Sequence, residues 1–251
     1  MCKHLRIWPF VLLGTLFTSS TLLAEGVITM TTSRTVGGII SLRIDANGDI
    51  TIEGVKETLQ TEDKVVYYTL TSQTITIRGD VTSFDCSDNQ LTSLDVSKNT
   101  SLTDLDCFNN QLMSLDVSKN TALTTLYCFD NQLTSLNVSR NRALTTLSCG
   151  GNQLTSLDVS KNTALEGLYC SENQLTSLNI SGCARLEDLF CFSNCINGKA
   201  MTKLVNSLPN RKGMSSGSLW VVSRSSKKSD KNRCSVADVT TARKKNWEVQ
   251  Q

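Results

Sequence analysis

Apolar and polar positions repeat through the middle of this chain with a strict period of 21 residues. Five complete units run without a gap from Leu91 to Cys195, and a half unit, VTSFDCSDNQ, begins at Val81. The first two complete units read LTSLDVSKNTSLTDLDCFNNQ and LMSLDVSKNTALTTLYCFDNQ. Apolar side chains alternate with polar ones around each central cysteine, as one face of a β-strand requires. Because one unit cannot bury its apolar face alone, the repetition predicts stacked coils with a shared core.

Cysteine and asparagine recur at fixed places in the units. The cysteines are Cys86, Cys107, Cys128, Cys149, Cys170 and Cys191. An asparagine follows each of them in the next turn, namely Asn89, Asn110, Asn131, Asn152, Asn173 and Asn194. We expect parallel strands about 4.8 Å apart, six of which make a sheet about 24 Å across. The asparagines are expected to bond backbone groups of adjacent coils. A second column holds Asn99, Asn120, Asn141 and Asn162, with Cys183 in the fifth place.

The unit LxxLxCxxNxLxxLxVSxN resembles the leucine-rich-repeat family, and more narrowly the cysteine-ladder, internalin-like surface proteins of bacteria. The resemblance covers about residues 81–196. It implies a leucine-rich-repeat solenoid, in which a parallel β-sheet is built from stacked 21-residue coils. It also implies an adhesion or host-contact role, with the variable positions around each strand on the concave side.

The cysteine ladder is expected to be a file of small buried hydrophobes. In-register neighbours about 4.8 Å apart have parallel side chains, whereas a disulfide needs converging Cβ atoms near 3.8 Å. A zinc site is the alternative interpretation. It needs four ligands around one point, and a single column of cysteines does not supply them. We therefore predict no metal and no cofactor. A disulfide between Cys195 and Cys234 stays open as a way to fasten the C-terminal segment.

Residues 1–24 read as a secretory signal peptide. Lys3 and Arg6 precede an apolar stretch from Ile7 to Phe17, and Ala24 suits the last position before cleavage. The apolar stretch is shorter than the roughly 20 residues that a membrane-spanning helix needs. A buried N-terminal helix is the alternative interpretation. The signal predicts a secreted or cell-surface protein without a transmembrane segment in the mature chain.

The segments on either side of the repeats are predicted to cap the open ends of the stack. Residues 25–80 form the expected N-terminal β-rich cap, with a tight turn at Asn47-Gly48 and a returning strand at 50–52. The repeats are assigned to residues 81–195 and a basic α/β cap to residues 196–251. The elements expected in that second cap are a helix at 199–208, a strand at 218–222, a helix at 235–246 and one extra repeat-like turn.

Charge and histidine content narrow the function. Residues 25–195 carry a net charge of −9 and residues 196–251 a net charge of +9, which suggests a molecule of two parts. The one histidine, His4, lies in the signal, so the mature chain lacks every histidine general base. We therefore expect a binding protein and not an enzyme, although carboxylate-based hydrolysis is compatible with the residue types present.

Aromatic residues fall next to the ladder cysteines, in two columns that strand alternation places outside the core. Six of the nine Phe and Tyr residues after the signal lie there, and acidic side chains flank them. A row of exposed aromatics is typical of an interaction site, or it stabilises the sheet by stacking. The expected ligand-binding residues of the concave face are Asp104, Asp106, Phe108, Tyr127, Phe129, Asp130, Tyr169, Glu172, Phe190 and Phe192.

Two functions are therefore predicted. The first is adhesion or host interaction through the concave aromatic and acidic face, by a monomer whose partner is a protein or glycan, host-derived partners included. The alternative is binding of a polyanion (nucleic acid, acidic glycan or lipopolysaccharide) by the basic C-terminal region, with nucleic acid the least expected of the three. The basic cluster consists of Arg224, Lys227, Lys228, Lys231 and Arg233. A solubilising loop is the other interpretation of that cluster.

Overall fold

A computed structural model describes residues 26–60, 64–223 and 230–250, so the predicted signal peptide lies outside the described residues. The first eight strands are β1 (Val27–Thr32), β2 (Ile39–Ala46), β3 (Thr51–Glu53), β4 (Val55–Gln60), β5 (Val66–Leu70), β6 (Thr74–Arg78), β7 (Val81–Asp85) and β8 (Leu91–Asp95). The strands of the later coils are β9 (Asp104–Asp106), β10 (Thr125–Tyr127), β11 (Thr146–Ser148), β12 (Ser156–Asp158), β13 (Gly167–Tyr169), β14 (Ser177–Asn179) and β15 (Asp188–Phe190). The chain then forms α1 (Gly198–Ser207), β16 (Gly217–Trp220), α2 (Val236–Lys244) and β17 (Trp247–Gln250).

The coils stack in register, as the period predicts. Their strands form the parallel part of an 11-stranded main sheet in the order β17-β16-β15-β13-β11-β10-β9-β7-β2-β5-β4. The central leucines of successive strands pair directly, for example Leu105 with Leu126 and Leu126 with Leu147. The main sheet is wider than the six strands expected because the N-terminal strands β2, β5 and β4 and the C-terminal strands β16 and β17 extend it.

The ladder cysteines form one buried file inside the stack. Each of the six is fully buried. Burial raises the pKa of these thiols, that of Cys149 to about 12, because a thiolate would be separated from water. The thiols therefore stay neutral and pack as small apolar groups. The ladder predicted from the 21-residue spacing is confirmed.

The first asparagine column connects neighbouring coils through the backbone. The side-chain amide of Asn131 donates to the carbonyl oxygens of Cys107 (2.9 Å) and Cys128 (3.3 Å), and its Oδ1 accepts from the N–H of Leu112 (3.0 Å). The same pattern recurs at the equivalent asparagines of the other complete coils. Each amide thus satisfies buried backbone groups that would otherwise be unpaired, which is costly in a dry interior.

The second asparagine column works in a similar way on the opposite side of the coils. Asn120 donates to the carbonyl oxygens of Val96 (2.9 Å) and Asn99 (2.8 Å). Cys183 takes the fifth place in this column, where its Sγ donates to the carbonyl oxygen of Val159 at 3.3 Å. On that side the strands β12 and β14 pair as a small parallel sheet.

The N-terminal strands divide between two sheets, which corrects the expected return at Asn47-Gly48. Strand β2 pairs with β5 and β7 in the main sheet, whereas β3 pairs with β6 in a four-stranded sheet of order β3-β6-β1-β8. Asn47 bonds to Asp80 through both its backbone N–H (2.9 Å) and its side chain (3.0 Å), so this turn leads away from β2. Gly48 supplies the required positive φ of 125°. The turn therefore joins the two sheets instead of closing a hairpin.

The C-terminal segment adds two strands to the main sheet, where one extra turn was expected. Strand β16 pairs in parallel with β15, and β17 pairs in parallel with β16. Helix α2 begins at the predicted cap, since the side chain of Ser235 accepts from the N–H of Asp238 in a capping box. The sequence pattern missed β17 because helices replace the second half of these coils and no ladder cysteine marks the register.

Asn232 continues the first asparagine column beyond the last complete repeat. Its amide donates to the carbonyl oxygens of Cys191 (2.8 Å) and Val221 (2.7 Å), and its Oδ1 accepts from the N–H of Ile196 (2.7 Å). In the regular coils the asparagine follows the ladder cysteine after two residues, as Asn110 follows Cys107. Here residues 222–231 separate Val221, at the cysteine position, from Asn232. This insertion hides Asn232 from a search by spacing.

No disulfide joins Cys195 to Cys234, so the bridge left open by the sequence is not formed. The N–H of Arg233 donates to the carbonyl oxygen of Ile196 at 3.0 Å, which follows the register set by Asn232. In that register Cys234 is the equivalent of Ile196, one position after Cys195. The flanking segments fit the expected N-terminal and C-terminal caps in composition, and their role as caps stays a prediction.

We predict that Asn152→Ala lowers the free energy of unfolding by about 3 kcal/mol, because it leaves the N–H of Leu133 and the carbonyl oxygen of Cys128 unpaired in the interior. Urea unfolding followed by circular dichroism measures the change. Gln153→Ala, at the exposed neighbouring position, is the matched control and should change the value by less than about 0.5 kcal/mol. Equal effects of the two substitutions would contradict the role given to the column.

Candidate functional site

The outer face of the main sheet, defined as the side opposite the cysteine ladder, carries two rows of variable residues. Strand register places the first row in the order Asp85, Asp106, Tyr127, Ser148, Tyr169, Phe190 and Trp220. The second row follows each ladder cysteine and consists of Ser87, Phe108, Phe129, Gly150, Ser171 and Phe192. The aromatic side chains of both rows are half-buried. They therefore remain accessible while they pack on the sheet.

Most of the rings in the two rows contact a neighbouring ring. Phe108 and Phe129 stack with centroids 4.6 Å apart and nearly parallel planes. Tyr169 meets Phe190 edge to face at 5.2 Å, and Trp220 contacts Phe190 at 5.7 Å and Phe192 at 4.8 Å. The sequence-based expectation that the rings stack along the sheet is compatible with a binding role, because stacking also holds the rings in fixed positions.

Trp220 is a residue of this face that sequence reasoning missed. It continues the first row beside Phe190, and its Nε1 donates to the carbonyl oxygen of Val222 at 2.9 Å. The residue after it is Val221 instead of a cysteine, so the ladder spacing gave no register for it. The predicted strand at 218–222 was the one available signal.

The coil in the middle of the stack interrupts the aromatic rows. It contributes Ser148 and Gly150, and the left-handed turn that follows is made by Gly151 with φ 62°. Rings therefore fall into two groups, which we name the N-terminal group (Phe108, Tyr127 and Phe129) and the C-terminal cluster (Tyr169, Phe190, Phe192 and Trp220). Tyr127 has no ring partner among the described residues, so it is the aromatic of the first row with the least lateral support.

Tyr169 lies over a glycine of its own strand. A Cβ atom built on Gly167 would meet the Tyr169 ring at 3.0 Å, so the absence of a side chain at that position makes room for the ring. The Tyr169 hydroxyl donates to Oδ2 of Asp188 at 3.4 Å. Burial, and then the nearby Asp188 carboxylate, raises the pKa of Tyr169. The phenol is therefore neutral and fixed at both ends.

Acidic residues dominate the N-terminal end of the face. Asp85 and Asp106 are paired in register on adjacent strands, and Asp85 accepts from both the N–H (3.0 Å) and the hydroxyl (2.7 Å) of Ser87. Burial raises the pKa of Asp106 to about 6, and the Asp85 charge adds to this. Arg43 of β2 pairs with Asp85 across the sheet and extends the face into the N-terminal strands, which sequence reasoning missed.

The remaining predicted site residues lie around these rows. Asp104 precedes the central leucine of its strand and accepts from the Thr103 hydroxyl at 2.7 Å. Asp130 and Glu172 lie in the turns after the strands, with left-handed φ values of 52° and 57°. They border the second row at its edge instead of lying within it. The ten predicted residues therefore occupy one face, with these two at its margin.

The basic cluster is described only in part. Arg224, Lys227 and Lys228 lie outside the described residues, whereas Lys231 and Arg233 are exposed. Within the described ranges, no helix is long and apolar enough to cross a membrane. The same part of the chain holds no group of three or more His, Cys, Asp or Glu side chains arranged to bind a metal ion.

Comparison with known proteins gives matches at the level of structure. No protein family model matches the chain, and no curated protein sequence matches it. The functional domain of InlJ from Listeria monocytogenes, which includes a cysteine ladder, is 29% identical, with a TM-score of 0.52 over 72% of this chain and 42% of that chain. The internalin InlF from Listeria monocytogenes is 20% identical, with a TM-score of 0.56 over 68% of this chain and 47% of that chain.

These matches show the leucine-rich-repeat fold. The chain spans less than half the length of either structure. The agreement in fold therefore says nothing about the parts of those proteins that have no counterpart here.

We predict that Asp106→Asn raises the free energy of unfolding above about pH 6 and leaves it nearly unchanged below about pH 4. The folded-state pKa lies above the unfolded value of 3.8, so the stability linked to the bound proton is present at low pH and is lost as the pH rises through 6. Urea unfolding at both pH values measures this.

The control for this prediction is Asp116→Asn. Hydrogen bonds from the backbone and side chain of Ser118 lower the pKa of the Asp116 carboxyl, so the substitution should give no gain at neutral pH. A gain of equal size in both variants would contradict the environment described for Asp106.

Proposed function

From the premise that this chain is a leucine-rich-repeat solenoid with a cysteine ladder, similar to internalins, we propose that it is an exported binding module of the adhesion or host-interaction type. Its binding surface is the outer face of the main sheet, which we propose is concave. The observation that carries the proposal is the double row of half-buried aromatic rings on a rigid parallel sheet. The partner is a protein or a glycan.

Side-chain chemistry supports binding at this face. Aromatic residues contribute large contact areas at low entropic cost, and they are enriched where partners dock. Apart from Tyr127, the rings here are already held by one another, and Tyr169 and Trp220 also by hydrogen bonds to Asp188 and Val222, so little ordering is needed on binding. Residues of this face differ from coil to coil, whereas residues of the core repeat.

The charge of the face indicates what the partner presents. Asp85, Asp104 and Asp106 lie at its N-terminal end, and Arg43 is the one basic side chain paired with them in the sheet. A partner with an apolar patch beside a basic one matches this arrangement, and the charges would speed its approach at low salt. We propose such a surface on a host-derived partner.

The test is the triple substitution Tyr127→Ser, Phe129→Ser and Tyr169→Ser. Protein fixed to beads captures partners from extracts of host cells and of bacterial surfaces, and biolayer interferometry then measures each captured partner. We expect the triple variant to lose at least about tenfold in affinity, since central aromatics contribute more than about 1 kcal/mol each to typical interfaces.

Met113→Ser is the matched control, because Met113 is 69% exposed and lies outside the two rows. It removes a large apolar side chain from the surface without changing the proposed site, so binding should be unaffected. Undiminished binding by a folded triple variant would remove the outer face from the proposal.

A second candidate function is the binding of polyanions by the basic C-terminal region. The exposed side chains of Lys231 and Arg233 support it, because they are close in sequence to the rest of the predicted cluster. Lys231→Ser with Arg233→Ser should lower the salt concentration at which the protein elutes from heparin, since each lost contact reduces counterion release. Retention that does not depend on salt, or that both substitutions leave unchanged, would dismiss this candidate.

A further inference from the structure

A polar cavity lies where the N-terminal strands meet the first coils, next to the N-terminal end of the second aromatic row. Its volume is about 320 Å³, and we name it the amide pocket. It is lined by Arg34, Asp88, Gln90, Asn109, Asn110 and Gln111. Ligand pockets usually start at about 300 Å³ and are mostly apolar, so this one has room for a small ligand but offers it almost entirely polar contacts.

Arg34 forms one wall of the amide pocket and is fixed in place by three hydrogen bonds. Its Nη2 donates to the carbonyl oxygen of Asp88 at 2.9 Å, and its backbone N–H donates to Oγ1 of Thr32 at 3.1 Å. Its carbonyl oxygen accepts from Nε2 of Gln73 at 3.1 Å. One of these bonds holds the guanidinium and the other two hold the backbone that carries it, which reduces the entropic cost of binding.

Several polar groups at the amide pocket have unused hydrogen-bonding capacity. Nε of Arg34 is buried and has no acceptor, and a buried donor without a partner is unfavourable. Gln111 accepts from the Ser33 hydroxyl through Oε1 at 3.2 Å. Among the described residues, the Gln111 Nε2, the Gln90 amide and the Asn109 Oδ1 make no hydrogen bond.

The floor of the pocket is formed by Asn110, whose side-chain amide already bonds to the backbone. Asn110 belongs to the first asparagine column, where its Oδ1 accepts from Leu91 (2.8 Å) and its Nδ2 donates to the Cys86 carbonyl oxygen (3.1 Å). It holds the coils together and is not available to a ligand. The rim therefore presents both donors and acceptors over a rigid base.

The donors and acceptors at the rim of the pocket indicate which class of ligand fits it. An apolar ligand would gain nothing from such walls, and a strong anion would meet the Asp88 carboxylate, whose Oδ1 accepts from Asn109. Saccharide hydroxyls each donate and accept, and a side-chain amide offers a donor and an acceptor side by side. We propose that the amide pocket binds a neutral saccharide unit through Arg34, Asp88 and the amides of Gln90, Asn109 and Gln111.

The pocket is specific to this end of the stack. The equivalent residues one coil further are Asp130 and Gln132, which do not line it, because the loop that carries Arg34 reaches the turns at Asp88 and Gln90. Gln132 therefore provides a matched control with the same side chain as Gln111. No residue of the two aromatic rows lines the pocket, so its test does not depend on the proposed function of the outer face.

The experiment is an NMR titration of the full ¹⁵N-labelled chain with the methyl glycosides of glucose, galactose, mannose and N-acetylglucosamine. We expect at least one glycoside to shift the side-chain amide signals of Gln90, Asn109 and Gln111 saturably. Sodium acetate and sodium sulfate are titrated in parallel and should leave these signals in place.

Variants complete the test. Gln111→Ala and Asn109→Gly should each weaken glycoside binding about tenfold, the equivalent of one lost hydrogen bond of about 1.4 kcal/mol. Glycine suits position 109, where φ is 50°. The control Gln132→Ala and the triple aromatic variant should bind as the natural chain does. The proposal is overturned if no glycoside shifts the amides, if acetate or sulfate shifts them instead, or if Gln111→Ala binds unchanged.

Discussion

The structure depends on one constraint, which is that every buried backbone group at a coil junction must find a partner in the next coil. The asparagine columns meet it, since the amides from Asn110 and Asn120 onward each donate to at least two carbonyl oxygens, and those of the first column also accept a backbone N–H. Because each amide reaches a fixed distance, successive coils must keep the same path at that point. Leucines and thiols then fill an interior of constant shape, and the outer face is left to vary.

The fold could be predicted from the sequence wherever the period holds. Cysteine and asparagine at fixed spacing predict the register of Leu105, Leu126 and Leu147 and the interior file of thiols, and the structure has both. Prediction failed where the period stops. The turn at Asn47 bonds to Asp80, a residue far along the chain, and such non-local pairing leaves no mark in local sequence. Asn232 was hidden by an insertion and β17 by the helices around it.

The candidate site was predictable in outline for the same reason. Strand alternation placed Tyr127, Phe129 and Tyr169 on the outer face, and the structure agrees. Trp220 and Arg43 were missed because both lie beyond the ladder and enter the face only through strand pairing. The amide pocket could not be predicted from the sequence either, because Arg34 bonds to Asp88, which is distant in the chain.

The insertion between Val221 and Asn232 has a consequence for variation in this protein. Asn232 takes its place in the column with three bonds of the kind that the regular asparagines make. The packing of the neighbouring coil therefore does not depend on the number of residues inserted before Asn232. For a flexible connection, each doubling of length costs only about 0.6 kcal/mol in closure entropy. Residues can therefore be added between Val221 and Asn232, by evolution or by design, without a change in the stacking of the coils.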